Sequence, residues 1–241
     1  MKYLQLAFSL LTILPAGSLR KTEPGDTGRA AFWFPLVGVT VGFITVVGWG
    51  IFKLIFPLIP TTVLTLALWV ILTGGLHLDG LADCCDGLLS AARPERRLKI
   101  MSDPHIGTFG IVGLVFVLLL KLSALYAIDP TRMFQVVLLA PTLSRWYVLL
   151  AAKQPLARTE GMAADFAAGL SRKSIFAAAV IPLALIVWGG WDSLLAGTLA
   201  SLAASGIIIF SRSRIGGVTG DVFGSIIEIS ELTILMTYAA R

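Results

Sequence analysis

The sequence predicts an all-α membrane protein, a polytopic helix bundle of about seven spans with a short N-terminal interfacial helix. Three observations carry this reading. The 241 residues are 56% hydrophobic and only 14% charged, whereas soluble domains carry about 25% charged residues. Mean hydropathy is +0.87. The apolar residues fall into runs near the roughly 17–25 residues needed to cross a bilayer. They cover approximately 33–57, 61–78, 107–128, 133–152, 174–190, 193–210 and 225–239.

The stretch from Tyr3 to Leu14 is apolar but too short to span. It ends at Pro15 without a small-residue cleavage site, so it reads as an interfacial or half-inserted helix rather than a signal peptide. Three connections, at 57–61, 129–132 and 190–193, are tight and carry Pro57, Pro60, Pro130 and Gly189-Gly190 as turn signals. The remaining connections are longer and basic. Arg20, Lys21 and Arg29 precede the first span, and Arg93, Arg96, Arg97 and Lys99 follow the second. Lys153, Arg158, Arg172 and Lys173 fill the third long loop, and Arg212 and Arg214 the fourth. Arg132 is the one base in a short loop. The positive-inside rule therefore puts all four long segments in the cytoplasm. Residues 1–241 read as a single integral membrane domain with no internal repeat. The net charge of +5 is spread over these loops, so the partner it implies is the lipid bilayer and not nucleic acid. The oligomeric state stays open, a homo-oligomer included. Cys84 and Cys85 are neighbours without a CxxC spacing and read as reduced thiols.

Acidic residues number fourteen, and seven of them fall in two constellations that this topology places on one side. The first runs from Gly74 to Gly87 and holds Asp79, Asp83 and Asp86, with His77 upstream and Asp103 downstream. If the run stays helical, the i, i+4, i+7 spacing sets the three carboxylates within roughly 60° of one another on one face. Like charges on one stripe repel unless something positive lies between them. A carboxylate at membrane depth costs at least about 2.5 kcal/mol. A bound cation accounts for the stripe, and hard oxygen ligands favour Mg²⁺, Mn²⁺ or Ca²⁺. The competing explanation is a helix end emerging into water. His77 alone is a weak signal, since a lone histidine is more often a hydrogen-bonded structural residue.

The second constellation is Gly216-Gly217-Val218-Thr219-Gly220-Asp221, continuing into a helix with Glu228 and Glu231. Glycines let a backbone approach a ligand closely, and a helix N-terminus favours anions, so the turn suits a phosphate, with Arg212 and Arg214 just upstream. Asp221 and Glu228 share a face. The bland alternative is a helix-packing glycine cluster with a buried Glu. On spacing, the catalytic set is Asp79, Asp83, Asp86 and Asp221. The metal set adds Glu228. The substrate- and phosphate-binding set is Arg212, Arg214, Gly216, Gly217, Thr219, Gly220, His77 and Asp103. Carboxylates for metal, amides and arginines for phosphate, and an apolar wall together describe phosphoryl transfer at a membrane surface.

These residues resemble the cobalamin synthase family, the adenosylcobinamide-GDP ribazoletransferases, nearly end to end. The likeness rests on Leu11-Thr12-Ile13-Leu14-Pro15, Phe34-Pro35-Leu36-Val37-Gly38, Thr73 through Asp83, Asp86-Gly87, Met101 with Asp103, and Gly107-Thr108 with Gly110. It continues in Ser144-Arg145, Gly217 with Thr219-Gly220-Asp221, and Glu228. His105 departs from the pattern and is assigned nothing. The resemblance implies a multi-pass enzyme of the bacterial inner membrane that uses Mg²⁺, with its site facing the cytoplasm. It would join adenosylcobinamide-GDP to α-ribazole or its 5′-phosphate and release GMP, the closing step of nucleotide-loop assembly. On this reading the 5′ oxygen of α-ribazole is the nucleophile. A CDP-alcohol phosphotransferase is the nearest alternative, because Gly75-x3-Asp79-x3-Asp83 matches half of its signature. The other half, Asp-Gly-x2-Ala-Arg, is missing from Pro60 to Leu66. A cation transporter with intramembrane carboxylates is the alternative from another class.

Overall fold

The computed structural model describes residues 1–17 and 22–240. Arg20 and Lys21 of the first basic loop lie outside the described residues. Helix α1 spans Lys2–Leu11 and α2 spans Asp26–Ala30, and a 3-10 turn leads into α3, Phe34–Ile55. Next come α4 (Leu58–Leu72), α5 (Leu76–Leu89), α6 (Pro94–Ile100), α7 (Thr108–Ala127) and α8 (Met133–Ala151). The chain closes with α9 (Met162–Gly169), α10 (Arg172–Ala178), α11 (Val180–Ile215) and α12 (Gly220–Ala239). Among the described residues the only β pairing is one parallel bridge between Leu156 and Val218. The all-α reading therefore holds.

Five helical stretches are long and apolar enough to cross a membrane, or six if α4 and α5 count as one broken span. By this measure the expected seven is not reached, and two places account for the difference. The predicted span 61–78 stops at Leu72, because the chain bends by 88° between α4 and α5. Gly74 and Gly75 make the bend with φ of 62° and 70°, where any side chain with a Cβ would be strained. The aspartates thus ride on a helix of their own. The predicted spans 174–190 and 193–210 lie inside one apolar stretch, Arg172–Ile215. Gly190, with φ 63° and ψ −144°, interrupts it. A Cβ on Gly197 would sit 3.3 Å from Cδ1 of Ile186, whereas residues that far apart on a straight helix are separated by about 16 Å. The chain therefore folds back at Gly190, where the tight turn was expected.

The tight turns gather at one end of the bundle, where Arg132 lies 3.2 Å from Asp192. The long connections gather at the other end, with α1, α2, α6 and α9. There Asp165 accepts hydrogen bonds from the Gly25 amide and the Thr27 hydroxyl, tying α9 to α2. Arg97 donates to the carbonyls of Gly87 and Leu88 and so caps the end of α5.

The interior of the bundle holds a charged cluster. Lys121 on α7 lies 2.7 Å from both Glu228 and Glu231 on α12, and Arg145 on α8 lies 2.7 Å from Glu231. Two cations balance two anions, which is how charges persist at membrane depth. The Lys121 ammonium also stands 5.5 Å over the Trp69 ring. This corrects the sequence reading of Glu228: its carboxylate is engaged by Lys121 rather than presented with Asp221. The two residues do lie on one helix, but Glu228 is seven positions deeper, where α7 supplies a cation.

Candidate active site

The end of the bundle with the long connections brings the two acidic constellations together. α5 and α12 cross at glycines. A Cβ on Gly80 would stand 2.9 Å from the Asp221 carbonyl oxygen, and one on Gly224 would stand 3.1 Å from that of His77. With no side chain at either position, the helices approach at backbone distance. Asp79 and Asp83 then flank the start of α12, where Asp221 sits in the first turn. Thr219 caps that helix by accepting from the Val222 amide, and its hydroxyl donates to Asp221 at 3.2 Å. Among the described residues, neither the Asp79 nor the Asp83 carboxylate has a hydrogen-bond or ion-pair partner, so both are free for a ligand.

Two cavities meet at Asp79. One, of about 310 Å³, lies between α1, α5, α9 and α12. Phe34, Phe166 and Phe223 form its apolar wall, and Asp79 and Asp221 supply polar groups. The other, of about 210 Å³, is lined by Asp79, Asp83, Ser102 and Asp103 among others. Asp103 is exposed, and the amide and ring of His105 beside it hold its carboxyl below the usual carboxylate range. His105, assigned nothing from sequence, is thus the partner of Asp103. His77 is 3% exposed, with neither ring nitrogen hydrogen-bonded.

Asp86 is placed differently from its two neighbours. Its carboxylate accepts from the amides of Gly107 and Gly110, at 2.7 and 2.9 Å, at the start of α7. A Cβ on either glycine would come within 2.4 Å of an Asp86 oxygen. Both oxygens are therefore engaged in capping a helix and binding its N-terminal dipole. Sequence spacing placed Asp86 on the stripe correctly. It could not show that the stripe's last member faces a helix start rather than a ligand.

The glycine turn also differs from expectation. Gly217 packs on backbone: a Cβ there would lie 2.5 Å from Pro155 and Leu156 carbonyl atoms and from the Ala157 amide. Val218 donates to the Pro155 carbonyl, Ala157 donates to the Val218 carbonyl, and Ser211 donates to that of Gly217. Gly217 thus docks the 155–157 segment and does not cradle a phosphate, while Gly216, with φ of 80°, ends α11. Arg212 reaches Gln154, and Arg214 stacks on Phe210 with its guanidinium 5.0 Å from the ring. Of the turn, Gly216 and Gly220 remain open, each with nothing within 4 Å of its would-be Cβ.

The docking of 155–157 positions the residue that sequence reasoning missed. Arg158, counted there only as one base of a basic loop, follows directly. Its guanidinium donates to the Leu98 carbonyl at 2.6 Å and the Ser102 hydroxyl at 2.7 Å. Its charge reaches both Asp83 and Asp221. Only the fold brings it there, since more than sixty residues separate it from either carboxylate. Cys84 is buried and Cys85 half-buried, and neither is in a disulfide.

The sequence profile of the cobalamin-5-phosphate synthase family matches residues 3–239. The chain belongs to this family. Among curated members, the adenosylcobinamide-GDP ribazoletransferase of Desulfitobacterium hafniense is 37% identical over 98% of this chain and 96% of its own length. The proteins of the same name from Geotalea daltonii and Deinococcus radiodurans are 34% and 37% identical. Each match covers 98% of this chain, with 96% and 85% of the relatives' lengths. No solved structure matches the chain. Cobalamin-5-phosphate synthases therefore include this fold, with two acidic helices crossed at glycine beside paired cavities.

Proposed function

We propose that the chain joins adenosylcobinamide-GDP to α-ribazole, or to α-ribazole 5′-phosphate, with release of GMP. It would do so with Mg²⁺ at the cytoplasmic face of the bacterial inner membrane. The observation that carries this reading is the crossing of Gly80 against Asp221. It sets free carboxylates between two cavities in a chain whose relatives carry the ribazoletransferase name. The basic long connections support the cytoplasmic orientation.

The donor set fits magnesium. Asp79, Asp83 and Asp221 offer oxygen alone. Among the described residues no three His, Cys, Asp or Glu side chains converge into a cage. Mg²⁺ does not need one, since it keeps several waters and binds through one or two carboxylates and substrate phosphates. Asp83 and Asp221 would hold it and leave Asp79 free, while Asp86 and Glu228 are engaged elsewhere. When bound, the ion neutralises charge on the diphosphate.

The reaction forms one P–O bond and breaks another. A ribose hydroxyl attacks the phosphorus on the cobinamide side, and the bond to the GMP oxygen breaks. A 5′-phosphorylated acceptor has no free 5′ hydroxyl, and a cobalamin 5-phosphate product keeps that phosphate. The nucleophile is therefore a ring hydroxyl of the ribose, which corrects the 5′ expectation. Asp79, in the wall shared by both cavities and unpartnered, is the carboxylate placed to take the hydroxyl proton. Arg158, held at Leu98 and Ser102, presents its remaining N–H groups to the diphosphate, where a guanidinium fork matches phosphate oxygens.

The test uses purified protein in detergent, given adenosylcobinamide-GDP, α-ribazole and Mg²⁺, with GMP followed over time. Stoichiometric GMP and corrinoid product are expected. GMP formed at the same rate without α-ribazole would mean hydrolysis, and the reading would fail.

A further inference from the structure

We propose that the 310 Å³ cavity is the seat of the acceptor's aromatic base. The inference rests on the reaction proposed above and says which substrate occupies which side of Asp79.

Three observations converge. First, the volume is at the lower end of the roughly 300–1,000 Å³ of pockets that enclose small ligands. A nucleoside fits that range, and a corrin macrocycle bearing a nucleotide does not. Second, the wall is aromatic. Phe34 and Phe166 stack at 5.4 Å between ring centroids, and Phe166 and Phe223 lie 5.8 Å apart at a tilt. Such rings take a flat heterocycle on their faces or edges. Third, the polar residues of its lining include Asp79 and Asp221. A base seated among the phenylalanines puts its ribose beside them, where the hydroxyl must lose its proton. The diphosphate is then left to the open side, with Asp83, Asp103 and Arg158.

The wall contributed by α9 offers a way to close the cavity without touching the carboxylates. Ala163→Trp should fill it. With the purified protein in detergent, KM for α-ribazole should rise at least about tenfold while that for adenosylcobinamide-GDP changes less than about twofold. Arg158→Ala should do the reverse. Equilibrium dialysis of labelled α-ribazole alone repeats the comparison without turnover, so it stands even if no GMP is released. Loss of GMP release in the wild type would defeat the reaction, whereas intact α-ribazole binding by Ala163→Trp would defeat the cavity assignment alone. A rise in KM for the corrinoid instead of α-ribazole would also overturn it. So would unchanged constants for both substrates, the result expected of a cavity occupied by a lipid chain.

Discussion

The Asp86 carboxylate accepts a 2.7 Å hydrogen bond from the Gly107 amide, which makes it the cap of α7. Its neighbours on the stripe, Asp79 and Asp83, have no such engagement. The three aspartates should therefore separate in their effects. Asp79→Asn and Asp83→Asn should each lower turnover by about 100-fold or more, with the thermal midpoint in detergent unchanged. Asp86→Ala should lower the midpoint itself, because it leaves two amides uncapped at about 0.5–2 kcal/mol. Near-normal activity in both Asp79→Asn and Asp83→Asn would remove the carboxylates from the chemistry.

Gly217 and Gly220, three residues apart, should also part company. A side chain on Gly217 meets the 155–157 backbone at 2.5 Å, whereas one on Gly220 meets nothing. Gly217→Ala should lower the melting midpoint and, by releasing the segment ahead of Arg158, raise KM for adenosylcobinamide-GDP. Gly220→Val should leave the fold intact, so that any loss of activity reports on substrate at the start of α12. Equal melting of the two variants with the wild type would show that the 155–157 docking is dispensable.

How much of this was legible in the sequence depends on what kind of neighbour decides each residue. Helix positions were readable because apolar runs record them. The break at Gly190 and the acidic stripe of α5 were readable because glycine and i, i+4, i+7 spacing are local signals. The meeting of Asp79 with Asp221 could be expected only by supposing that two acidic helices share one site. What resisted was partnership. Asp86 with Gly107, Glu228 with Lys121, and Gly217 with Leu156 each join elements far apart in the chain, and one sequence does not say which carboxylate already has a partner. Lys121 and Arg145 did leave a trace, as two bases inside otherwise apolar runs beside two acids in another. Pairing them across α7, α8 and α12 would have withdrawn Glu228 from the metal set.

That pairing makes Glu228 and Asp221 distinguishable by magnesium titration. Glu228→Gln should leave the Mg²⁺ midpoint for GMP release unchanged. Asp221→Asn should raise it and cut kcat. Glu231→Ala should be the most damaging to the fold, because it strips both Lys121 and Arg145 of an anion at 2.7 Å. Removing one partner of a buried pair costs about 3–5 kcal/mol. A shifted Mg²⁺ midpoint in Glu228→Gln would return that residue to the metal site.

The final expectation concerns orientation, and it follows from the two ends of the bundle. Thr131 sits in a tight turn beside Arg132, the residue facing Asp192, while Arg96 and Arg172 lie in the long basic connections at the opposite end. All three are exposed, so each can be replaced by cysteine and labelled. Cys84 is buried and Cys85 half-buried, and both are removed by alanine substitution to clear the background. In right-side-out spheroplasts, an impermeant maleimide should label Thr131→Cys at once. It should reach Arg96→Cys and Arg172→Cys only after lysis. The basis is the charge asymmetry between the two ends, since positive residues are retained on the cytoplasmic side. Because Asp79, Asp83 and Asp221 lie at the same end as Arg96, the labelling also places the chemistry. Labelling of Arg96→Cys in unlysed spheroplasts would turn the bundle over. It would put the carboxylates on the face away from the cytoplasm, where a GDP-activated substrate made inside the cell could not reach them.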